Sequence, residues 1–167
     1  MKKFILTAAV ILSSFSVFLQ NDVTTYYLIR HAEKNRTDKT NKNPNLNEKG
    51  LERAQNWATV FSNIHFDMVY STNYNRTKQT AKATAIAKDL EVVFYNPRKM
   101  YDIPFQKATK GKTILIVGHS NTTAVFANKI LGEEKYPQID DTNNSNLYII
   151  TVTNNLKTGV LLKIDLK

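Results

Sequence analysis

Two of the three histidines in this 167-residue chain directly follow short apolar runs. His31 follows residues 25–29 and has Arg30 beside it, and His119 lies just after residues 114–117. Both runs are rich in β-branched or aromatic residues, which is typical of buried parallel strands. Because ligand sites in such sheets lie at the carboxyl ends of strands, we expect both imidazoles at one reactive edge.

Imidazole and guanidinium groups at such an edge suit the transfer of a phosphoryl group. A neutral imidazole can attack phosphorus and carry it as a phosphohistidine, which divides hydrolysis into two easier steps. Guanidinium groups bind the remaining phosphoryl oxygens in bidentate fashion, as an ammonium group does not. The candidates for this chemistry are His31, His119, Arg30 and Arg76.

Four segments, in chain order, resemble signatures of the histidine phosphatase (phosphoglycerate mutase-like) superfamily. Arg30-His31-Ala32-Glu33 is similar to its Arg-His-Gly-Glu signature, and Leu46-Asn47-Glu48-Lys49-Gly50 to its Leu-Thr-x-x-Gly helix start. Residues 71–81, which include Arg76-Thr77-Lys78-Gln79-Thr80-Ala81, resemble its Ser-x-x-x-x-Arg-Thr-x-Gln-Thr-Ala segment. Val117-Gly118-His119-Ser120 resembles its strand-end Gly-His. The matches lie within about residues 23–132.

The resemblance implies a phosphatase in which His31 is the nucleophile, and Arg30, Arg76 and His119 form the phosphate pocket together with Ser120. It implies neither a cofactor nor a metal ion. The expected substrate is a phosphorylated small molecule or a phosphoprotein.

The general acid departs from the family pattern. The family usually has a Glu after the third strand, and here residues 98–102 occupy that stretch and end at Asp102. Donation near neutral pH would require burial, or an anion such as bound phosphate, to raise the pKa of the Asp102 carboxyl. The alternative is that Asp102 is an exposed turn residue, in which case Glu33 is the next candidate acid. His119 can also share the proton transfer.

Other chemistries fit the same residues less well. Residues 118–122 nearly match the Gly-x-Ser-x-Gly elbow of esterases, but no histidine follows Ser120 as that fold requires. A zinc site built from the two histidines and nearby carboxylates is disfavoured, because Arg30 would place a cation beside the metal and the short metal motifs are absent.

Residues 1–20 have the form of a secretory signal, with two lysines before an uncharged, apolar stretch that is short for a membrane-crossing helix. Small side chains at Ser14 and Ser16 favour cleavage after Ser16, with an uncleaved anchor as the alternative. We therefore expect an exported protein, periplasmic or extracellular, whose domain spans residues 22–167. Without cysteine, that domain has no disulfide.

The net charge of +9 falls to +7 without the two lysines of the signal, and so favours anionic ligands. No arginine-rich helix or aromatic-interleaved strand indicates nucleic acid, which is not an expected partner. Of four Asn-x-Ser/Thr sequons, those at Asn75 and Asn121 flank proposed site residues, where a glycan would obstruct the pocket. A bacterial source is therefore favoured.

The predicted fold is a single α/β domain of three layers, a mixed and mostly parallel sheet flanked by helices, as in phosphoglycerate mutase. Trp57 and Phe61 are predicted in the core. One face of the second helix, predicted to pack on the sheet, carries Ala83, Ile86, Ala87 and Leu90. Strands are predicted over 23–30, 66–71, 91–95, 113–117, 147–152 and 159–164, and helices after the N-cap Asn47, over 75–90 and over 121–131.

Only residues 96–111 separate the third and fourth predicted strands, where larger relatives carry a cap, so we expect an open pocket. The expected function is hydrolysis of phosphomonoesters, or of phosphohistidine, through a phosphohistidine intermediate. A phospho-ligand binding protein with weak or no turnover is the alternative. A mutase is disfavoured, because it needs a closed pocket that excludes water.

Overall fold

Strands and helices alternate along most of residues 22–154 and 156–165, the part of the chain that the computed structural model describes. The predicted signal at residues 1–20 lies outside this part. The strands are β1 (Val23–Arg30), β2 (Met68–Ser71), β3 (Val92–Phe94), β4 (Thr113–Gly118), β5 (Asn146–Thr153) and β6 (Leu156–Lys163). The helices are α1 (Glu48–Val60), α2 (Asn75–Ala87), α3 (Ile103–Thr109) and α4 (Thr123–Leu131).

The strands form one mixed sheet in the order β3-β2-β4-β1-β5-β6. Strand β4 pairs in parallel with β1 and β2, β3 is parallel to β2, and β5 and β6 add antiparallel pairs. The predicted mixed, mostly parallel sheet is confirmed. This order aligns the carboxyl ends of β1, β4 and β2, with Arg30 opposite Gly118 and Ser71 opposite Val117.

Alternate side chains of the central strands face two different helical layers. On one face, Leu28 and Ile116 pack in a cluster with Phe126 of α4. On the other face, Leu115 packs in a cluster with Trp57 of α1. The three-layer prediction is therefore confirmed. Trp57 and the adjacent Phe61 are buried, with their rings stacked 5.4 Å apart, as expected of core residues.

The predicted buried face of α2 is only partly correct, because Ala83 and Leu90 are partly buried against the core but Ile86 and Ala87 are exposed. Ile86 is 68% exposed, and the helix instead buries small residues and threonines. Apolar periodicity does not register Thr77 and Thr80, whose hydroxyls have buried hydrogen-bond partners. The small side chains let α2 pack closely on the sheet. The buried side chains are Thr77, Thr80, Ala81, Thr84 and Ala85.

Helix α3 was not predicted from the sequence patterns, although Asp102 is its N-cap and a proline lies in its first turn. Among the described residues, no helix is both long enough and apolar enough to span a membrane.

Candidate active site

The two histidines at the strand ends lie side by side. The ring centres of His31 and His119 are 5.4 Å apart, and the residues are only 3% and 9% exposed. Their proximity follows from the parallel pairing of β1 with β4, because each histidine comes one residue after its strand. The sheet thus places two imidazoles at one edge.

His31 is held as a neutral ring with one free nitrogen. Its Nδ1 lies 2.7 Å from the Ala32 carbonyl oxygen, and because a carbonyl only accepts, Nδ1 carries the hydrogen. Burial lowers the pKa of His31 to about 3, and the nearby Arg30 guanidinium acts in the same direction. The lone pair of Nε2 is therefore available at neutral pH, as a nucleophile requires.

His119 is held in the opposite tautomer. Nη2 of Arg76 lies 3.3 Å from Nδ1 of His119, and because a guanidinium only donates, this Nδ1 accepts. The hydrogen of the neutral ring is therefore on Nε2, which donates to the Thr72 hydroxyl at 2.8 Å. That hydroxyl lies 2.9 Å from Thr77 Oγ1, whose own hydrogen goes to a backbone carbonyl. Burial, followed by the charge of Arg76, lowers the pKa of His119 to about 4. Sequence reasoning did not single out Thr72 for this role.

Arg76 lies in the first turn of α2, where the sequence placed it. Its guanidinium carbon is 4.8 Å from the centre of the Tyr74 ring. Its Nε is buried and has no hydrogen-bond partner among the described residues. An unsatisfied buried donor is costly, so this N–H favours an anion.

Arg30 is almost completely buried and binds the loop that precedes β5. Its Nη1 donates to the carbonyls of Asp140 and Asn143 at 2.9 and 3.0 Å, and its Nη2 to the Asp141 carboxylate at 2.6 Å. Its Nε, like that of Arg76, is buried without a partner among the described residues. Sequence reasoning missed this loop.

The polar residues that follow Arg76 fix the segments around the site. Thr80 Oγ1 accepts from the Ala32 amide at 3.0 Å and donates to the Arg76 carbonyl at 2.7 Å. Gln79 accepts from the Leu46 amide at 2.7 Å. Helix α2 thereby positions both the segment after His31 and the approach to α1.

Two glycines allow close packing at these points. A Cβ at Gly50, in the first turn of α1, would collide with the Glu33 carbonyl. A Cβ at Gly118 would lie 2.8 Å from Thr123 Oγ1, which belongs to the first turn of α4. The predicted N-cap of α1 is confirmed, since the Asn47 side chain accepts from the Gly50 amide at 2.8 Å.

Two adjoining cavities meet at His31. The larger, of about 440 Å³, is lined by His31, Lys34, Tyr74, Arg76, Pro97, His119, Ser120, Asn121, Thr122 and Asp141. The smaller, of about 330 Å³, is lined by Arg30, His31, Glu33, Lys34, Arg36, Asn47, Asp141, Thr142 and Asn144. The structure therefore brings Ser120, Arg76 and both histidines to one cavity, and Arg30 to its neighbour.

The structure does not bring Asp102 to either cavity. Its carboxylate accepts from the Phe105 amide at 3.0 Å as the cap of α3. Glu33 lines the smaller cavity, but both of its carboxylate oxygens accept from Nε of Arg53, at 2.9 and 3.0 Å. The two acids considered from the sequence are thus engaged in a cap and an ion pair.

Residues 140–145, a run of Asp, Asn, Thr and Ser before β5, supply contacts that sequence reasoning missed. Asn144 Nδ2 donates to the His31 carbonyl at 2.7 Å, and Asp141 lines both cavities. Their polar composition directly before a strand adjacent to β1 is the signal that points to this role. The described residues contain no group of three or more His, Cys, Asp or Glu side chains arranged to hold a metal ion.

Fold and site together define an α/β domain with two neutral histidines and two arginines at the carboxyl edge of its sheet. The model of the histidine phosphatase superfamily (branch 1) matches residues 26–96, which include Arg30, His31 and Arg76. This part of the chain is therefore similar to the histidine phosphatase superfamily.

A curated relative, phosphoserine phosphatase 1 of Hydrogenobacter thermophilus, is 30% identical over 95 residues. The match covers 57% of this chain but only 36% of that protein.

Solved structures share the fold at low sequence identity. The putative phosphohistidine phosphatase SixA of Agrobacterium tumefaciens has a TM-score of 0.59 at 19% identity, covering 83% of this chain and 97% of that one. The α-ribazole phosphatase of Shigella flexneri has a TM-score of 0.63 at 16% identity, covering 86% and 99%. Phosphoglycerate mutase of Bacillus anthracis has a TM-score of 0.61 at 16% identity, covering 85% and 93%.

The lowered pKa values of the two histidines make the fold sensitive to acid. Because the unfolded chain takes up these protons near pH 6.5 and the folded protein does so only at about pH 3 to 4, acidification favours unfolding. Between about pH 6.5 and pH 5, each histidine is expected to remove about 2 kcal/mol from the free energy of unfolding.

Urea unfolding of His31→Gln at about pH 7.5 and pH 5 checks this expectation against the wild type. The variant should lose less stability on acidification, by about 2 kcal/mol. His65→Gln, at an exposed histidine, should retain the wild-type dependence. An unchanged dependence in His31→Gln would contradict the burial argument.

Proposed function

We propose that this protein is a phosphatase that hydrolyses phosphomonoesters through a phosphohistidine formed on His31. The observation that carries the proposal is the geometry of that ring: Nδ1 donates to the Ala32 carbonyl, which leaves the lone pair on Nε2, and burial lowers the pKa of the ring. Buried and unpaired Nε–H groups of Arg30 and Arg76 lie on the arginines beside it. The similarity of residues 26–96 to the superfamily model supports the same reaction.

In the proposed first step, Nε2 of His31 attacks phosphorus in line with the leaving oxygen. The N–P bond forms as the P–O bond to the alcohol breaks. The departing oxygen takes its proton from solvent water, since Asp102 and Glu33 are engaged with other partners. Arg30 and Arg76 would stabilise the charge on the equatorial oxygens. His119 would join them once the substrate displaces Thr72 or Arg76 from its ring nitrogens. In the second step, water attacks phosphorus, the N–P bond breaks, and inorganic phosphate leaves with Nε2 again free.

The proposed substrate is a phosphorylated small molecule or a phosphoprotein. Two related proteins are named for phosphoserine and phosphohistidine, so both compounds belong in a substrate panel. The short α3 connection leaves the larger cavity without a cap formed by an insertion between β3 and β4. A mutase, which must retain its intermediate away from water, is not supported by this arrangement.

Phosphate release from a panel of aryl phosphates, alkyl phosphates and phosphohistidine peptides tests the proposal. We expect turnover that vanadate inhibits. The alternative, a phospho-ligand binding protein, is favoured by one observation, the engagement of Asp102 and Glu33 with other partners. That protein would bind inorganic phosphate but release none from any member of the panel.

Asp102→Asn tests whether Asp102 is the proton donor. Because its carboxylate caps α3 and an asparagine caps equally well, we expect small and equal effects on an alkyl phosphate and on nitrophenyl phosphate. A true general acid would give a selective loss of about 10²-fold on the alkyl phosphate, whose alkoxide leaves badly. That selective loss would restore the prediction made from the sequence, and otherwise Glu33→Gln should be compared in the same way.

A further inference from the structure

The side chain of Arg30 is 1% exposed, and one loop supplies all of its hydrogen-bond acceptors in the described structure. Two of these acceptors are the backbone carbonyls of Asp140 and Asn143, both bound to Nη1. The third is the side chain of Asp141, bound to Nη2 at 2.6 Å. Backbone groups therefore anchor the guanidinium, and a carboxylate occupies one of its remaining donors.

Asp141 differs from the other acceptors because its side chain is 56% exposed and lines both cavities beside His31. Its second oxygen accepts from Arg36 at 2.7 Å. A carboxylate thus lies among cations in the region where, on the proposed function, a phosphoryl group binds. Carboxylate and phosphoryl oxygens bind guanidinium with the same bidentate geometry.

We propose that the Asp141 carboxylate competes with the phosphoryl group of the substrate for Arg30, and so sets the affinity of the site for oxyanions. This inference rests on the proposed function. A half-exposed side chain can turn away without unfolding the loop, since the Asp140 carboxylate holds the turn through the Thr142 amide and hydroxyl. Nη1 would keep both backbone acceptors while Nη2 exchanges one anion for the other.

The opposite role, positioning, makes the opposite prediction. If Asp141 served to orient Arg30 for substrate, its loss would weaken anion binding. If Asp141 competes, loss of its carboxylate strengthens anion binding. In the wild type, the apparent affinity for an oxyanion is reduced because the carboxylate occupies Arg30 in part of the molecules. The direction of the change therefore separates the two roles.

The experiment measures the affinity of Asp141→Asn for inorganic phosphate by titration calorimetry, and its inhibition by vanadate. We expect both to bind on the order of tenfold more tightly than to the wild type. Asp141→Glu, which keeps the charge, should stay near the wild-type affinity.

Asp140→Asn is the matched control for the loss of one negative charge. It removes the same charge one residue away and retains the Oδ1 atom that accepts from Thr142. General electrostatics predicts a change of about threefold or less in this variant. Melting curves of all variants verify that the loop change leaves the fold intact.

The inference would be overturned by weaker phosphate binding in Asp141→Asn, or by an equal increase in phosphate affinity in Asp141→Asn and Asp140→Asn. A lack of phosphate binding in every variant would also overturn it. The proposed function has a separate readout, the phosphoenzyme. If Asp141→Asn binds phosphate more tightly than the wild type but no phosphoenzyme forms, the proposed phosphatase function is wrong and the inference about Asp141 stands. If a phosphoenzyme forms but Asp141→Asn binds phosphate no more tightly than the wild type, the proposed function stands and the inference about Asp141 is wrong.

Discussion

His31→Ala is expected to abolish phosphate release and leave the protein folded. Alanine removes the only group in the proposed mechanism that bonds to phosphorus, so no intermediate can form. The wild type, quenched in alkali after mixing with a labelled phosphomonoester, should carry an alkali-stable, acid-labile label that His31→Ala lacks. This is the largest effect that the structure predicts.

His65→Ala is the matched control, because the His65 side chain is 93% exposed and lies before β2, away from the strand ends that carry the site. It should retain wild-type turnover and labelling. Folding of His31→Ala is checked by its unfolding transition at neutral pH. Full activity in a folded His31→Ala protein would end the proposed mechanism.

Arg76→Lys is expected to lower kcat/KM by about 10²-fold or more, although it keeps the positive charge. Lysine lacks the planar fork, the buried Nε–H and the stacking on Tyr74, and it donates differently to His119. Inhibition by vanadate and by inorganic phosphate should weaken in parallel. Initial rates on nitrophenyl phosphate measure the effect.

Arg98→Lys supplies the control for Arg76→Lys, since Arg98 is exposed and next to Pro97 at the rim of the larger cavity. It should change kcat/KM little. If Arg76→Lys behaves like Arg98→Lys, then Arg76 does not contact the phosphoryl group. Arg30→Lys is expected to cause a loss of similar size, but it also breaks the contacts to residues 140–143, so Arg76 gives the cleaner test.

The amino-acid sequence determined the parts of this protein that depend on local patterns. Short β-branched runs predicted each strand of the sheet, and Asn47 predicted the start of α1, because strand burial and helix capping are properties of neighbouring residues. Residues that follow strands must lie at one edge of a parallel sheet, so His31 and His119 were expected together.

Tertiary structure alone decided what each side chain contacts. Asp102 has the residue type of a general acid, yet it caps a helix that apolar periodicity did not predict, and Glu33 pairs with an arginine twenty positions along the chain. Thr77 and Thr80 of α2 are buried where periodicity favoured Ile86, because their hydroxyls bond to groups from other segments.

The same limit applies to Arg30 and Asp141, which lie 111 positions apart in the chain and 2.6 Å apart in the structure. No local pattern encodes such a pair, since it depends on β5 pairing with β1 and bringing the preceding loop over the strand end. The sequence determined which groups are present at the site. Long-range strand pairing decided which of them are free to bind a phosphoryl group, because the partner of a buried charge is set by the fold and not by its neighbours in the chain.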